Sequence, residues 1–162
     1  SLLCDGFAMS IQPQAARKEI FARINTVWET YAEDLLGMEA ELRFQGDEKP
    51  GLPGSDKFWG RASTQLVTTR NSAHIMSNGP GASPAEFTSN GLVFVQLFAP
   101  MKTGAYGKME LLAEELQRCF MAANTNSGVW FRNPRINELN NDATWYRWNV
   151  VSEYQFNQIK EL

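Results

Sequence analysis

Histidine is almost missing from this sequence. His74 is the only one in 162 residues, and the two cysteines, Cys4 and Cys119, lie far apart. A structural zinc site needs several such ligands at short spacings, so no metal site is expected. The cysteine usage fits a reduced, intracellular chain. No G-x-S-x-G elbow is present to give His74 a nucleophile, so it reads as an edge-strand or surface residue. An excess of positive charge is also lacking. Fifteen Lys and Arg stand against 18 Asp and Glu, for a net charge of −3 and a pI near 5.2. That argues against nucleic-acid binding driven by overall charge and leaves room for a local basic patch, or for a surface that lets DNA slide past without sticking. No apolar run approaches the roughly 20 residues of a membrane span. Residues 1–9, SLLCDGFAM, lack the basic start and long apolar stretch of a signal peptide. They read as part of an N-terminal arm, 1–12, disordered or packed on a neighbour, ahead of a single domain at 13–162.

Hydrophobic residues make up 43% and charged residues 20%, ordinary for a globular protein, while five tryptophans make the chain slightly aromatic-rich. Such rings serve as core and as interface anchors. Pro13 suits a first helical position. Ala16, Ile20, Ile24, Val27, Trp28 and Tyr31 then recur at spacings of three and four, which predicts a helix over 13–33. A second stripe, Met109, Leu112, Ala113, Leu116, Cys119, Phe120 and Ala123, predicts a helix over 106–123, stopped by NTNSG at 124–128.

Strands follow from period-two patterns. Leu42 and Phe44 alternate with Glu41, Arg43 and Gln45 in a strand at 40–46. DEKPGLPGSD, 47–56, is a surface loop, and 59–70 reads as a second strand. SNGPGASPAEFTSN, 77–90, reads as a long loop with the lone aromatic Phe87, functional or disordered. At 91–99, Leu92, Phe94 and Phe98 face one way and Val93, Val95 and Leu97 the other. Both faces read as buried in a central strand ended by Pro100. VWFRNPRI, 129–136, is a short strand cut by Pro134. TWYRWNVVSEYQF, 144–156, places Tyr146, Trp148, Val150, Tyr154 and Phe156 on one face. The order predicts an α+β fold, an antiparallel or mixed sheet of about five strands with two main helices packed on it.

The segment PMKTGAYGKME tests for a phosphate loop. Gly104 and Gly107 are three apart, and Met109 follows Lys108 where a metal-binding hydroxyl is required. The dinucleotide fingerprint fails as well, so the segment reads as a tight strand-to-helix turn. The carboxylate pairs Glu33–Asp34 and Glu114–Glu115 point apart on helices and read as solvated face. Asp47, Glu48 and Asp56 match no calcium loop. Arg132, Arg135 and Arg147 lie near aromatic strands, where they read by default as surface charge and otherwise as contacts to phosphate or a partner's carboxylate. No catalytic constellation emerges, and the expectation is a non-enzyme without cofactor.

The series "FWGRAS", "NGLVFVQLFAPMKTGAYGKMELLAEELQRCF", "GVWFRNPRI" and "WYRWNVVSEYQF" resembles the tail-terminator, or tail-completion, proteins of long-tailed bacteriophages, over about residues 13–158. The resemblance implies a small subunit that closes into a homo-hexameric ring on the head-proximal end of the tail tube. There it ends tube polymerisation and joins the tail to the head connector. Its partners would be itself, the tail tube protein and the head–tail connector protein, with DNA passing through the lumen unread. It would be assembled in the host cytoplasm, reside in the virion and involve no membrane. Loop position and residue type single out Lys49 and Leu52 in the 47–56 loop, Phe87 in the 77–90 loop and Arg132 near the last hairpin as interface candidates. The competing readings are another head–tail joining protein, or a small-molecule-binding α+β domain with the 77–90 loop as its lid. One sequence feature has no account at this level: Asn90-Gly91 opens the central strand abruptly.

Overall fold

A computed structural model describes residues 11–47, 49–71, 85–121, 125 and 127–160. They form α1 (Pro13–Leu36), β1 (Glu41–Phe44), β2 (Trp59–Asn71), β3 (Ala85–Pro100), α2 (Ala105–Met121), β4 (Trp130–Leu139) and β5 (Trp145–Lys160). Pro13 opens α1, and Ala16, Ile20, Ile24, Trp28, Ala32 and Leu36 are buried in an unbroken i, i+4 stripe. Gly37 ends the helix at φ 76°, a left-handed conformation natural to glycine, and its N–H bonds Glu33 O at 2.8 Å. Tyr31, expected on the apolar face, is instead 39% exposed, because the stripe runs through Trp28 and Ala32 and turns Tyr31 outward. In α2 the buried residues are Ala105, Met109, Leu112, Ala113, Leu116 and Phe120.

The fold is α+β. Its single five-stranded sheet has the order β1-β2-β3-β5-β4, with β1 parallel to β2 and every other pair antiparallel. β3 and β4 therefore run the same way, and α2 carries the chain across β5 between them. Both helices cover one face: α1 packs on α2, β1 and β2, and α2 on β3, β4 and β5. Val93, Val95, Leu97, Trp148, Val150 and Phe156 on this face are at most 1% exposed. Ile11 and Gln12 dock on the end of β5, through Ile11 N–H to Asn157 O at 3.1 Å and Gln158 Nε2 to Gln12 Oε1 at 2.6 Å.

Several sequence expectations need correction. The first is the loop at 77–90. Residues 77–84 lie outside the described residues, as does His74, but 85–90 are strand, so β3 is 16 residues long. Phe87 is thus no loop aromatic; it stands in β3 opposite Asn71 of β2 and Gln158 of β5. Partners on both sides override a locally polar, loop-like composition. Only one face of β3 is fully buried, since Leu92, Phe94 and Gln96 on the other side are half-exposed. β4 continues through Pro134 to Leu139 because β4 is an edge strand and the ladder shifts register between Arg132 and Arg135, with Asn133 at φ 52°. Gly91 does not open β3 but lies within it. A Cβ there would sit 2.5 Å from Tyr154 Cζ and 2.6 Å from Gln65 O, so the ring of Tyr154 takes that space.

Candidate interaction surface

Among the described residues no helix packs on the second face of the sheet. Residues opposite one another across a ladder share a face, so the strand registers assign this side. It carries Glu41 and Arg43 of β1, Trp59 and Arg61 of β2, and Leu92, Phe94, Gln96 and Phe98 of β3. Trp145, Arg147, Asn149 and Glu153 of β5 and Arg132 and Arg135 of β4 complete it. Six of the nine arginines in the sequence lie here: Arg43, Arg61, Arg70, Arg132, Arg135 and Arg147. A chain of net charge −3 thus gathers most of its guanidinium groups on one face.

One end of this face is a small aromatic core. Trp59 lies directly across from Phe98, and their rings stack at 4.0 Å and 8°. Trp145 meets both edge-on, at 5.6 and 6.0 Å. The three are 1%, 7% and 5% exposed although no helix covers them. Arginines do part of that work, with Arg43 and Arg61 guanidiniums 5.4 and 5.7 Å from the Trp59 ring centre. Trp145 Nε1 donates to Lys57 O at 3.1 Å, while Trp59 Nε1 is buried without a partner.

Beside this core lies the crossover from β1 to β2, which holds Lys49 and Leu52. Glu41 accepts from Arg43 Nε through one oxygen and from Lys49 Nζ at 3.2 Å through the other. Arg43 Nη1 also donates to Gly51 O at 2.7 Å, which ties the loop down. The Arg43 hydrogen bond, reinforced by Lys49, holds the Glu41 carboxyl below its ordinary pKa despite partial burial. Leu52 stands 66% exposed.

At the far end of the face, β2, β3, β5 and β4 line a trough of about 420 Å³. Its floor includes Asn90, Leu92, Glu153 and Gln155. Val67 and Arg70 form one wall, and Trp130 and Arg132 the other. Arg132 Nη2 donates to Gln155 Oε1, and Asn133 Nδ2 donates to Glu153 Oε2 at 3.3 Å. Val67 is the extra residue where the β2 ladder shifts between Leu66 and Thr68, and it is 56% exposed.

Of the four sequence candidates, Lys49 and Leu52 sit together at the β1 end of the sheet and Arg132 lies on β4, the opposite edge. Phe87 is half-buried inside β3 and joins neither. Sequence reasoning missed Arg70, Trp130 and the Trp59–Phe98–Trp145 core. The only signal for them was the pairing register, which local pattern does not carry. Among the described residues no group of three or more His, Cys, Asp or Glu side chains could hold a metal ion, and no helix is long and apolar enough to cross a membrane.

No protein-family model matches the chain, and no curated protein does. A solved structure whose name is a bare sequence identifier aligns at 14% identity, covering 86% of this chain and 95% of its own, with a TM-score of 0.48. A likeness at that level carries no argument about function.

Proposed function

We propose that this chain is a structural subunit of a bacteriophage tail. Copies would close into a hexameric ring at the head-proximal end of the tail tube, stop its polymerisation and present a docking surface to the head connector. The observation that supports this reading is the segregation of candidate contact groups to opposite edges of one sheet. Lys49 and Leu52 lie beside β1, and Arg132 lies on β4. A subunit in a cyclic ring needs two different contact surfaces, one for each neighbour, and opposite sheet edges supply them. The segments that carry the family resemblance also fall on successive elements: a strand ending at Phe98-Ala99-Pro100, a turn at Gly104, a helix reaching Phe120, and the aromatic strand β5.

The test is electron microscopy of particles assembled with the gene deleted. Overlong tubes without heads are expected. Tails of normal length that fail to join heads would move the chain to the connector. Intact, infectious particles would refute the reading.

A further inference from the structure

Charge on this molecule is sorted by face. By strand register, the side of the sheet away from the helices carries Arg43, Arg61, Arg70, Arg132, Arg135 and Arg147 against three carboxylates, Glu41, Glu86 and Glu153. That is an excess of three positive charges in a chain of net charge −3, so all that remains carries −6. The pI near 5.2 therefore conceals the local basic patch that composition left open.

The partners of these arginines matter more than their number. Two are matched with acids: Arg43 with Glu41, and Arg135 with Glu153 at 3.8 Å. The other four are not. Arg61 Nε donates to Gln96 Oε1 at 3.2 Å, and Arg132 Nη2 donates to Gln155 Oε1. Arg147 Nε and Nη2 both donate to Asn140 O, at 3.0 and 2.8 Å. Arg70 is exposed and pairs with no carboxylate among the described residues. A guanidinium has five N–H donors. One or two bonds to a neutral oxygen orient it and leave its charge and its other donors for an anion.

These four are strung out rather than gathered. Arg147 stands at the level of Phe98 on β3, Arg61 at Gln96, Arg132 at Leu92 and Arg70 at Thr88. At the rise of a strand the line is about 34 Å long. Rings are interleaved with the charges. Phe94 is half-buried between the levels of Arg61 and Arg132, and Trp130 is half-buried between those of Arg132 and Arg70. Trp130 is the one tryptophan of five that is not buried; the other four are at most 5% exposed.

Uncancelled positive charges alternating with accessible rings match a polymer that carries an anion and a flat ring in every unit. A single nucleic-acid strand is that polymer. Its phosphates meet guanidiniums, and its unpaired bases stack on aromatic side chains, in some proteins across a sheet face. A duplex keeps its bases stacked inside and leaves Phe94 and Trp130 unused. An acidic polypeptide offers carboxylates but no ring in each unit.

We propose that the sheet face away from the helices binds single-stranded nucleic acid, without sequence selection, along the line from Arg147 to Arg70. Trp130 stacks on a base, and Arg61, Arg70, Arg132 and Arg147 meet phosphates. The inference goes beyond the ring reading and does not rest on it.

The experiment is titration of the full chain into an end-labelled oligothymidylate of about 12 nucleotides, within the range of single-strand sites. Binding is read by anisotropy of the label and by quenching of Trp130 fluorescence, in salt from about 0.05 to 0.2 M. Four phosphate contacts on a single strand give log affinity against log salt a slope of about −3, a loss of roughly fiftyfold over that range. R70Q/R132Q, both at exposed positions, should halve the slope with unchanged circular dichroism. Trp130→Leu keeps the apolar bulk and should bind about fivefold or more weakly, with the quenching gone. No binding at the lowest salt, an unchanged slope in R70Q/R132Q, or wild-type binding by Trp130→Leu overturns the inference. So does a duplex of the same length, or polyglutamate, that binds as tightly as the single strand, because the face would then answer to charge alone. None of these results touches the tail reading, which is tested in particles.

Discussion

Replacing Gly91 by alanine is the most direct test of how the sheet is packed beneath the trough. Gly91 is buried in β3 between Leu66 of β2 and Tyr154 of β5. The added methyl would stand 2.5 Å from Tyr154 Cζ and 2.6 Å from Gln65 O, distances that real Cβ atoms essentially never show. One contact is with a ring that is 6% exposed and lies parallel to Phe156 at 6.2 Å, so it cannot swing aside without moving a second core residue. The other is with backbone, and relieving it means shifting β2 off β3. Overpacking of this kind costs about 1–3 kcal/mol, and the double clash places Gly91→Ala in the upper half of that range. Stiffening the unfolded chain returns about 0.4–1 kcal/mol. The net loss is about 2 kcal/mol, or a fall of roughly 4–8 °C in the thermal midpoint for a chain of this size. Urea titration of Gly91→Ala beside Gly107→Ala makes the comparison internal. Gly107 is exposed in α2 with nothing within 4 Å of its would-be Cβ, so alanine there should stabilise by up to about 1 kcal/mol. Adding Tyr154→Leu to Gly91→Ala should show favourable coupling that leaves the Gln65 part of the cost in place. A Gly91→Ala chain as stable as the wild type would refute the reasoning.

Two further predictions concern ionisation. The folded state depresses the Glu41 pKa, so its ties to Arg43 and Lys49 stabilise the fold above the ordinary carboxylate range and are lost as pH falls through the folded value. The thermal midpoint of Glu41→Gln should fall below the wild type by an amount worth up to about 1 kcal/mol near neutrality, the group being partly solvated. The two curves should merge in acid, and a gap that persists or widens there would contradict the assignment. Burial pushes the Cys119 thiol up to about 12, against a weaker lowering by Arg23. In a Cys4→Ser chain near pH 8, alkylation of native Cys119 should run about a thousandfold slower than in urea, in proportion to its thiolate fraction. Comparable rates in the two states would show the thiol to be accessible.

The elements that were legible in the sequence are those whose pattern is local. The stripe of α1, the stripe of α2, and the alternation along β5 each arise from one contiguous run with its own period, although α1 runs three residues past the expected end at 33. What escaped depended on neighbours distant in the chain. Residues 85–90 look like a loop because Glu86, Thr88, Ser89 and Asn90 are polar, yet Thr88 and Ser89 are buried. They are satisfied across the ladders, Thr88 by Asn157 at 3.0 Å and Ser89 by Thr69 at 2.9 Å. Pro134 looked like a terminus and is tolerated because nothing needs its missing N–H on an outer edge. The candidate surface fared the same way. Arg132 could be chosen from residue type, but its counterpart Arg70 is 62 positions away and joins it only through the strand order.

The uncovered sheet face also explains why arginine, rather than lysine, dominates it. A face with buried aromatics needs either a second layer or side chains that are apolar along their length and wet at the tip. Arg43 and Arg61 meet that need over Trp59; Arg61 keeps its charge in water, while the largely buried Arg43 is paired with Glu41 and Gly51 O. The planar guanidinium can stack on the indole and still donate sideways, as Arg61 Nε does to Gln96 Oε1 at 3.2 Å. Lysine, with a compact and strongly hydrated head, would leave the ring less covered. The solution is imperfect: Trp59 Nε1 and Asn149 Oδ1 remain buried without partners. A helix packed on this side could have removed the need for charge, but it would have closed the sheet to any partner. Keeping the face open and armed with guanidiniums leaves some internal groups unsatisfied and presents an exposed cationic surface.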